Sequence, residues 1–126
     1  MCVWRFNQFK ARGGRRAIDD WKLSPARRAS LDTFLDRIAK MQSWPVGICG
    51  PIGNHAGCWE LRWTAEKVEH RIFGYFGFGK QYNMMVGCTH KGKTYDPPGV
   101  FETLDQRKRQ VQDGTGGLDE YTIWSS

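Results

Sequence analysis

The sequence predicts an α+β domain, in the order strand, two helices, a meander of three strands, and a closing helix. Two patterns lead there. Apolar residues at helical spacing fall in residues 17–23, in the stretch after Ser24 and in the stretch after Gly99, and extended apolar runs cluster over residues 58–89. Strands and helices segregated in this way suit an α+β domain, not a doubly wound parallel sheet. A chain of 126 residues makes one domain, 1–126.

Residues 2–9 alternate loosely through Val3, Trp4, Phe6 and Phe9 and read as the first strand. Residues 10–16, Lys-Ala-Arg-Gly-Gly-Arg-Arg, form a basic turn broken by glycine. Residues 17–23 read as a short helix with Ile18 and Trp21 on one side. Ser24-Pro25 starts a longer helix, the hydroxyl capping free N–H groups and proline standing where its missing N–H does no harm. That helix carries Leu31, Phe34, Leu35, Ile38 and Met41 as one apolar stripe for packing on a sheet.

Residues 44–57 are a Gly/Pro-rich connection; Cys49-Gly50-Pro51-Ile52-Gly53 lacks the Gly-Lys-Ser/Thr ending of a phosphate loop. Residues 58–65 and 69–76 read as an antiparallel hairpin, in which Trp59, Leu61 and Trp63 share a core face. After a turn at Phe78-Gly79-Lys80-Gln81, residues 82–89 form a buried strand. Pro97-Pro98-Gly99 stops the extended chain, and 100–112 form the last helix, with Phe101, Leu104 and Val111 inward and Arg107-Lys108-Arg109 largely outward. The tail from about 113 is expected to be loose as far as the apolar patch Tyr121-Thr122-Ile123-Trp124, which docks on the sheet or on a partner.

Nineteen Lys and Arg against thirteen Asp and Glu leave a net charge of +6. Such a surface attracts polyanions through their phosphates. Cys2, Cys49, Cys58 and Cys88 form no C-x-x-C, and with the three histidines they make no zinc-finger spacing. No metal site and no small-molecule cofactor is expected. The N-terminus, Met1 to Phe6, lacks the apolar run of a signal peptide, and no stretch approaches the roughly 20 apolar residues of a membrane span. The expectation is a cytoplasmic protein with free thiols and no membrane partner.

Four pieces occur in order: Trp59-Glu60-Leu61-Arg62; His70-Arg71-Ile72-Phe73-Gly74-Tyr75-Phe76; Met84 to Lys93, Met-Met-Val-Gly-Cys-Thr-His-Lys-Gly-Lys; and Pro97 with the basic helix. Together they resemble the phage-derived, HigB-like branch of the RelE/ParE toxin superfamily, over roughly residues 58–111. The resemblance implies a small twisted antiparallel sheet, made of the N-terminal strand and the meander. The two N-terminal helices would pack on one face of it, and one C-terminal helix would close the domain. It implies ribosome-dependent cleavage of messenger RNA and a neighbouring antitoxin, often with a helix-turn-helix. The ParE-like minority poison DNA gyrase instead. This chain departs from the pattern in two places. His90-Lys91 stands where the family has a lysine pair, and Cys58 and Glu60 stand where toxins closest to RelE carry lysines.

RNA cleavage through the 2′-hydroxyl requires a proton acceptor, a proton donor and cations facing the phosphorane. Arg71 matches the family arginine and is the first candidate for a phosphate clamp, the alternative being an arginine paired with Glu60 or Glu69 across strands. Arg62 is a second clamp or part of a Glu–Arg ladder with Glu60. His90 is the acid–base candidate, because imidazole titrates near neutrality, or an ordinary surface histidine. Tyr95 donates a proton, stacks on a base, or simply packs in its loop. Lys91 and Lys93 hold RNA backbone or mark a solvated turn. Arg107, Lys108 and Arg109 meet ribosomal RNA or an antitoxin's acidic segment, or form a wet helix face. The competing readings are a gyrase inhibitor and a phage-derived binding protein without catalysis. The nuclease reading requires Arg71 and His90 to share one groove and not to be buried in ion pairs.

Overall fold

A computed structural model describes residues 3–123; Cys2 and Trp124, assigned from sequence to the first strand and the tail patch, lie outside the described residues. The elements are β1 (Arg5–Lys10), α1 (Pro25–Ala39), β2 (Cys49–Pro51), β3 (Trp59–Ala65), β4 (Val68–Phe76), β5 (Gln81–Lys91), β6 (Thr94–Asp96), α2 (Val100–Asp113) and β7 (Gly117–Glu120). The fold is α+β, but not the expected arrangement. One helix, not two, precedes the meander, and the sheet is seven-stranded and mixed, in the order β2-β3-β4-β5-β1-β7 with β6 on β5. β1 runs parallel to β5, pairing Arg5 with Gln81 through Gln8 with Met84.

Side chains explain why residues 17–23 form turns and no helix. Gln8 Oε1 accepts from the backbone N–H groups of Ile18 and Asp19 at 3.0 and 2.9 Å. Arg28 donates to the carbonyls of Ile18 and Trp21 at 2.7 and 2.6 Å. These long-range bonds replace the intrahelical ones, and a segment this short cannot repay helix nucleation by itself. α1 begins as expected: Ser24 Oγ accepts from Arg27 N at 3.2 Å.

The meander forms in the expected order. Its first turn places Glu66 and Lys67 at φ 53° and 63°, the left-handed pair that matches strand twist in a two-residue hairpin. β4 and β5 slip register between Phe73 and Gly74, so that Val86 faces Phe73 and Met84 faces Gly74. Met85 is the extra residue of this bulge.

The sheet is covered on both faces. Leu31, Phe34, Leu35 and Ile38 of α1 pack against Phe6, Leu61, Trp63, Ile72 and Met84. On the other face Val100 and Leu104 of α2 pack against Phe9, Phe73, Met85, Val86 and Cys88. The tail is anchored where looseness was expected from residue 113. β7 pairs antiparallel with β1, Tyr121 is buried, and its hydroxyl donates to Asp32 Oδ1 at 2.6 Å. Gly116 makes this possible, since a Cβ there would lie 2.7 Å from the Phe9 ring. No described helix is long and apolar enough to cross a membrane.

His70 is fully buried on the α1 face, stacked on Trp63 at 4.4 Å, and its Nε2 has no hydrogen-bond partner. Burial holds its pKa below the ordinary value. The folded protein therefore resists a proton that the unfolded chain accepts at about pH 6.5. Stability is full above that pH and falls as the pH drops through it. Urea midpoints at pH 7.5 and pH 5 measure the loss. His70→Phe, which keeps a ring in the stack, is expected to show a smaller loss than the natural chain.

Candidate functional site

α2 covers only part of its sheet face. The same face carries Glu60 and Arg62 from β3, Glu69 and Arg71 from β4, His90 from β5 and Tyr95 from β6. Register brings them together: Arg62 faces Arg71, Glu69 faces His90, and His90 faces Tyr95. Alternation along each strand turns their neighbours Leu61, Trp63, His70 and Ile72 to the α1 side.

Two arginines directly opposite each other repel unless an anion stands between them. Glu60 is that anion. Its Oε1 accepts from Arg62 Nε at 3.0 Å and lies 2.9 Å from Arg62 Nη2, and its Oε2 lies 3.8 Å from Arg71 Nε. Arg62 also donates to the Val46 carbonyl at 3.1 Å. Arg71 is only 9% exposed. Its Nη1 donates to the His70 carbonyl at 3.0 Å, and its Nη2 lies 3.5 Å from Glu69 Oε1 and 3.4 Å from His90 Nδ1. The pairing with Glu60 and Glu69 is thus what the structure has for Arg71, and Arg62 sits in the Glu–Arg ladder. Neither is an open cation.

His90 Nδ1 is also 3.9 Å from Glu69 Oε2. Its ring stacks on Tyr95 at 4.6 Å, and Tyr95 in turn meets the edges of Phe73 and Phe101. Burial, then the charge of Glu60, raises the Tyr95 pKa, so its hydroxyl remains a proton donor at neutral pH. The Cys88 thiol, facing Arg71 across the strands, is pushed up to about 12 by burial and is no nucleophile.

The other basic candidates separate into two groups. Lys91 and Lys93 are exposed at the β5–β6 turn, beside His90 and Tyr95. Arg109 is exposed on α2, but Arg107 and Lys108 turn inward, against the expectation that the three lie outside. Arg107 donates to the Met85 carbonyl at 2.8 Å and covers the Phe9 ring. It satisfies the bulge residue, which has no register partner in any strand. Lys108 lies over the Tyr75 ring and 3.4 Å from the Ala56 carbonyl.

Sequence reading misses Glu60 as a member of the site and counts it as a departure from the family pattern. The signal is present: Glu60 and Arg62 share a strand face, and the two-residue turn sets Arg71 opposite Arg62. Compared with known proteins, the chain matches no protein-family model, no curated protein and no solved structure. The resemblance to RelE/ParE toxins accordingly rests on the four sequence pieces between Trp59 and the basic helix.

Proposed function

We propose that this chain is a toxin that cleaves messenger RNA at the ribosome by using the RNA's own 2′-hydroxyl, and that a partner antitoxin restrains it in the cytoplasm. The observation that supports this reading most is Glu60 and His90 flanking one buried guanidinium, that of Arg71. They form an acid–base pair. Glu60 accepts the 2′-hydroxyl proton while the 2′-oxygen attacks phosphorus. Protonated His90 gives its proton to the departing 5′-oxygen. The products are a 2′,3′-cyclic phosphate and a 5′-hydroxyl.

The paired arginines fit this chemistry. In the resting protein Glu60 balances Arg62 and Arg71. When Glu60 takes the proton its negative charge vanishes, as the phosphorane gains one. The same two guanidinium groups then serve the phosphorane, so their attraction is strongest in the transition state. His90 Nδ1 has a donor, Arg71, for the neutral ring and an acceptor, Glu69, for the protonated ring. Tyr95 positions the imidazole by stacking.

One observation favours a second reading, a binding protein without catalysis: the burial of Arg71 among its ion partners. Inducing the chain in cells and mapping messenger RNA ends separates the two. Growth arrest with cuts confined to translated codons is expected. Intact messages sink the nuclease reading, with arrest and a DNA damage response pointing to gyrase and no arrest to the inactive form.

A further inference from the structure

β5 has a gap along one edge. β1 pairs with residues 81–84 and β6 with residues 89–91, so residues 85–88 have no strand beside them on that edge. A groove of about 630 Å³ opens there, between the 11–23 segment and α2. Its cations outnumber its acids. Arg15, Arg16, Lys22, Arg27 and Arg107 line it, against Asp20 and Asp96. Arg16 is paired with Asp119 and Arg27 with Glu66. Among the described residues, Arg15, Lys22 and Arg107 have no carboxylate partner, and Arg15 and Lys22 are exposed.

Trp21 gives the groove an aromatic wall. Its indole rests on Gly87, where a Cβ would come within 2.4 Å of the ring. Thr89 and Asp96 line one end of it, and strand alternation turns their neighbours His90 and Tyr95 to the other side of the sheet.

We infer that this groove holds single-stranded RNA, with Arg15 and Lys22 on phosphates and Trp21 against a base. RNA binding in the groove does not rest on the proposed cleavage. Unpaired cations beside an aromatic ring are what a sequence-tolerant single-strand site requires, because every nucleotide offers a phosphate and a π-face. An acidic peptide would use the cations and leave the indole idle. Arg107, bonded to the Met85 carbonyl and close to the Arg15 charge, adds positive field at the floor.

The test is fluorescence anisotropy with a labelled 2′-O-methyl oligouridylate, which cannot be cleaved, so binding is read apart from chemistry. The double variant Arg15→Glu/Lys22→Glu is expected to bind at least about tenfold more weakly at low salt. Its slope of log affinity against log salt should fall by about 0.7 for each phosphate no longer neutralised. Lys67→Glu, a charge reversal at the exposed turn between β3 and β4 and outside the groove, should bind like the natural chain. Arg15→Ala/Lys22→Ala, if charge reversal perturbs folding, should show the same losses in smaller measure. Unchanged affinity and slope in folded variants overturn the inference. So does a loss seen only for a decaglutamate probe and not for the oligouridylate, which would make the groove a protein-docking surface.

Discussion

Glu60→Gln is expected to lower RNA cleavage by about 10²- to 10⁴-fold, the usual span for removing a general base. Glutamine keeps an acceptor for Arg62 but cannot take the 2′-hydroxyl proton. It also leaves Arg71 with Glu69 as its remaining carboxylate, since only these two carboxylates lie within 4.0 Å of it among the described residues. A stability cost of about 1–2 kcal/mol follows for removing one member of a partly buried charge cluster. Rates must therefore be measured below the melting transition. His90→Ala is the companion variant. It removes the proton donor from a half-buried position and should lose activity over a similar range, with less effect on folding. Because the two residues act in one concerted step, the double variant should be little worse than either single one. Additive losses would show that they do not share a step.

Gly74→Ala is expected to be the most damaging single methyl group in the sheet, with a loss of about 3 kcal/mol or failure to fold, at the upper end for overpacking. A Cβ at Gly74 would lie 2.0 Å from the Asn83 carbonyl oxygen and 3.1 Å from the Tyr82 ring. The oxygen belongs to backbone in the central β4–β5 ladder and cannot move aside. Tyr82 is fully buried, and its hydroxyl donates to the Trp59 and Ile72 carbonyls, so the ring cannot yield either. Gly53→Ala is the control, because a Cβ there meets nothing within 4 Å. It should change the urea midpoint by no more than about 0.5 kcal/mol equivalent. Equal midpoints for the two variants would mean that the bulge tolerates a shift of register.

Local signals in the sequence are sufficient for the elements they govern directly. Ser24-Pro25 and the stripe from Leu31 to Ile38 define α1, and alternation defines β3 and β4. They are insufficient wherever distant side chains or backbone decide. The 17–23 segment has helical spacing, yet Gln8 and Arg28 capture its backbone groups. β2, β6 and β7 are three or four residues long, too short for a periodic pattern. Alternation in β1 is the same for a parallel or an antiparallel neighbour. What selects β5 includes the side-chain hydrogen bond of Asn7 to Asn83 at 3.0 Å, which no local pattern announces.

The site is legible in part for the same reason. Arg62, Arg71 and His90 fall together because strand parity and hairpin register place them so. Their ion pairing with Glu60 and Glu69, which the same parity places, is legible as the alternative to a phosphate clamp; a proton-accepting role for Glu60 is not, because its sign is wrong for a phosphate. Arg107 looks like a surface cation by composition. It turns inward because the bulge at Met85 leaves a carbonyl that needs a donor.

Whether Glu60 and His90 cleave RNA through its 2′-hydroxyl is decided by the chemistry of the fragment ends. The purified chain is supplied with ribosomes translating a message, and with a matched message carrying one 2′-deoxynucleotide at the mapped cut. The expected products carry 2′,3′-cyclic phosphate and 5′-hydroxyl ends, and no cut is expected at the deoxy position. Uncut messages, 3′-hydroxyl and 5′-phosphate ends, or cleavage that persists at the deoxynucleotide would contradict the proposed chemistry.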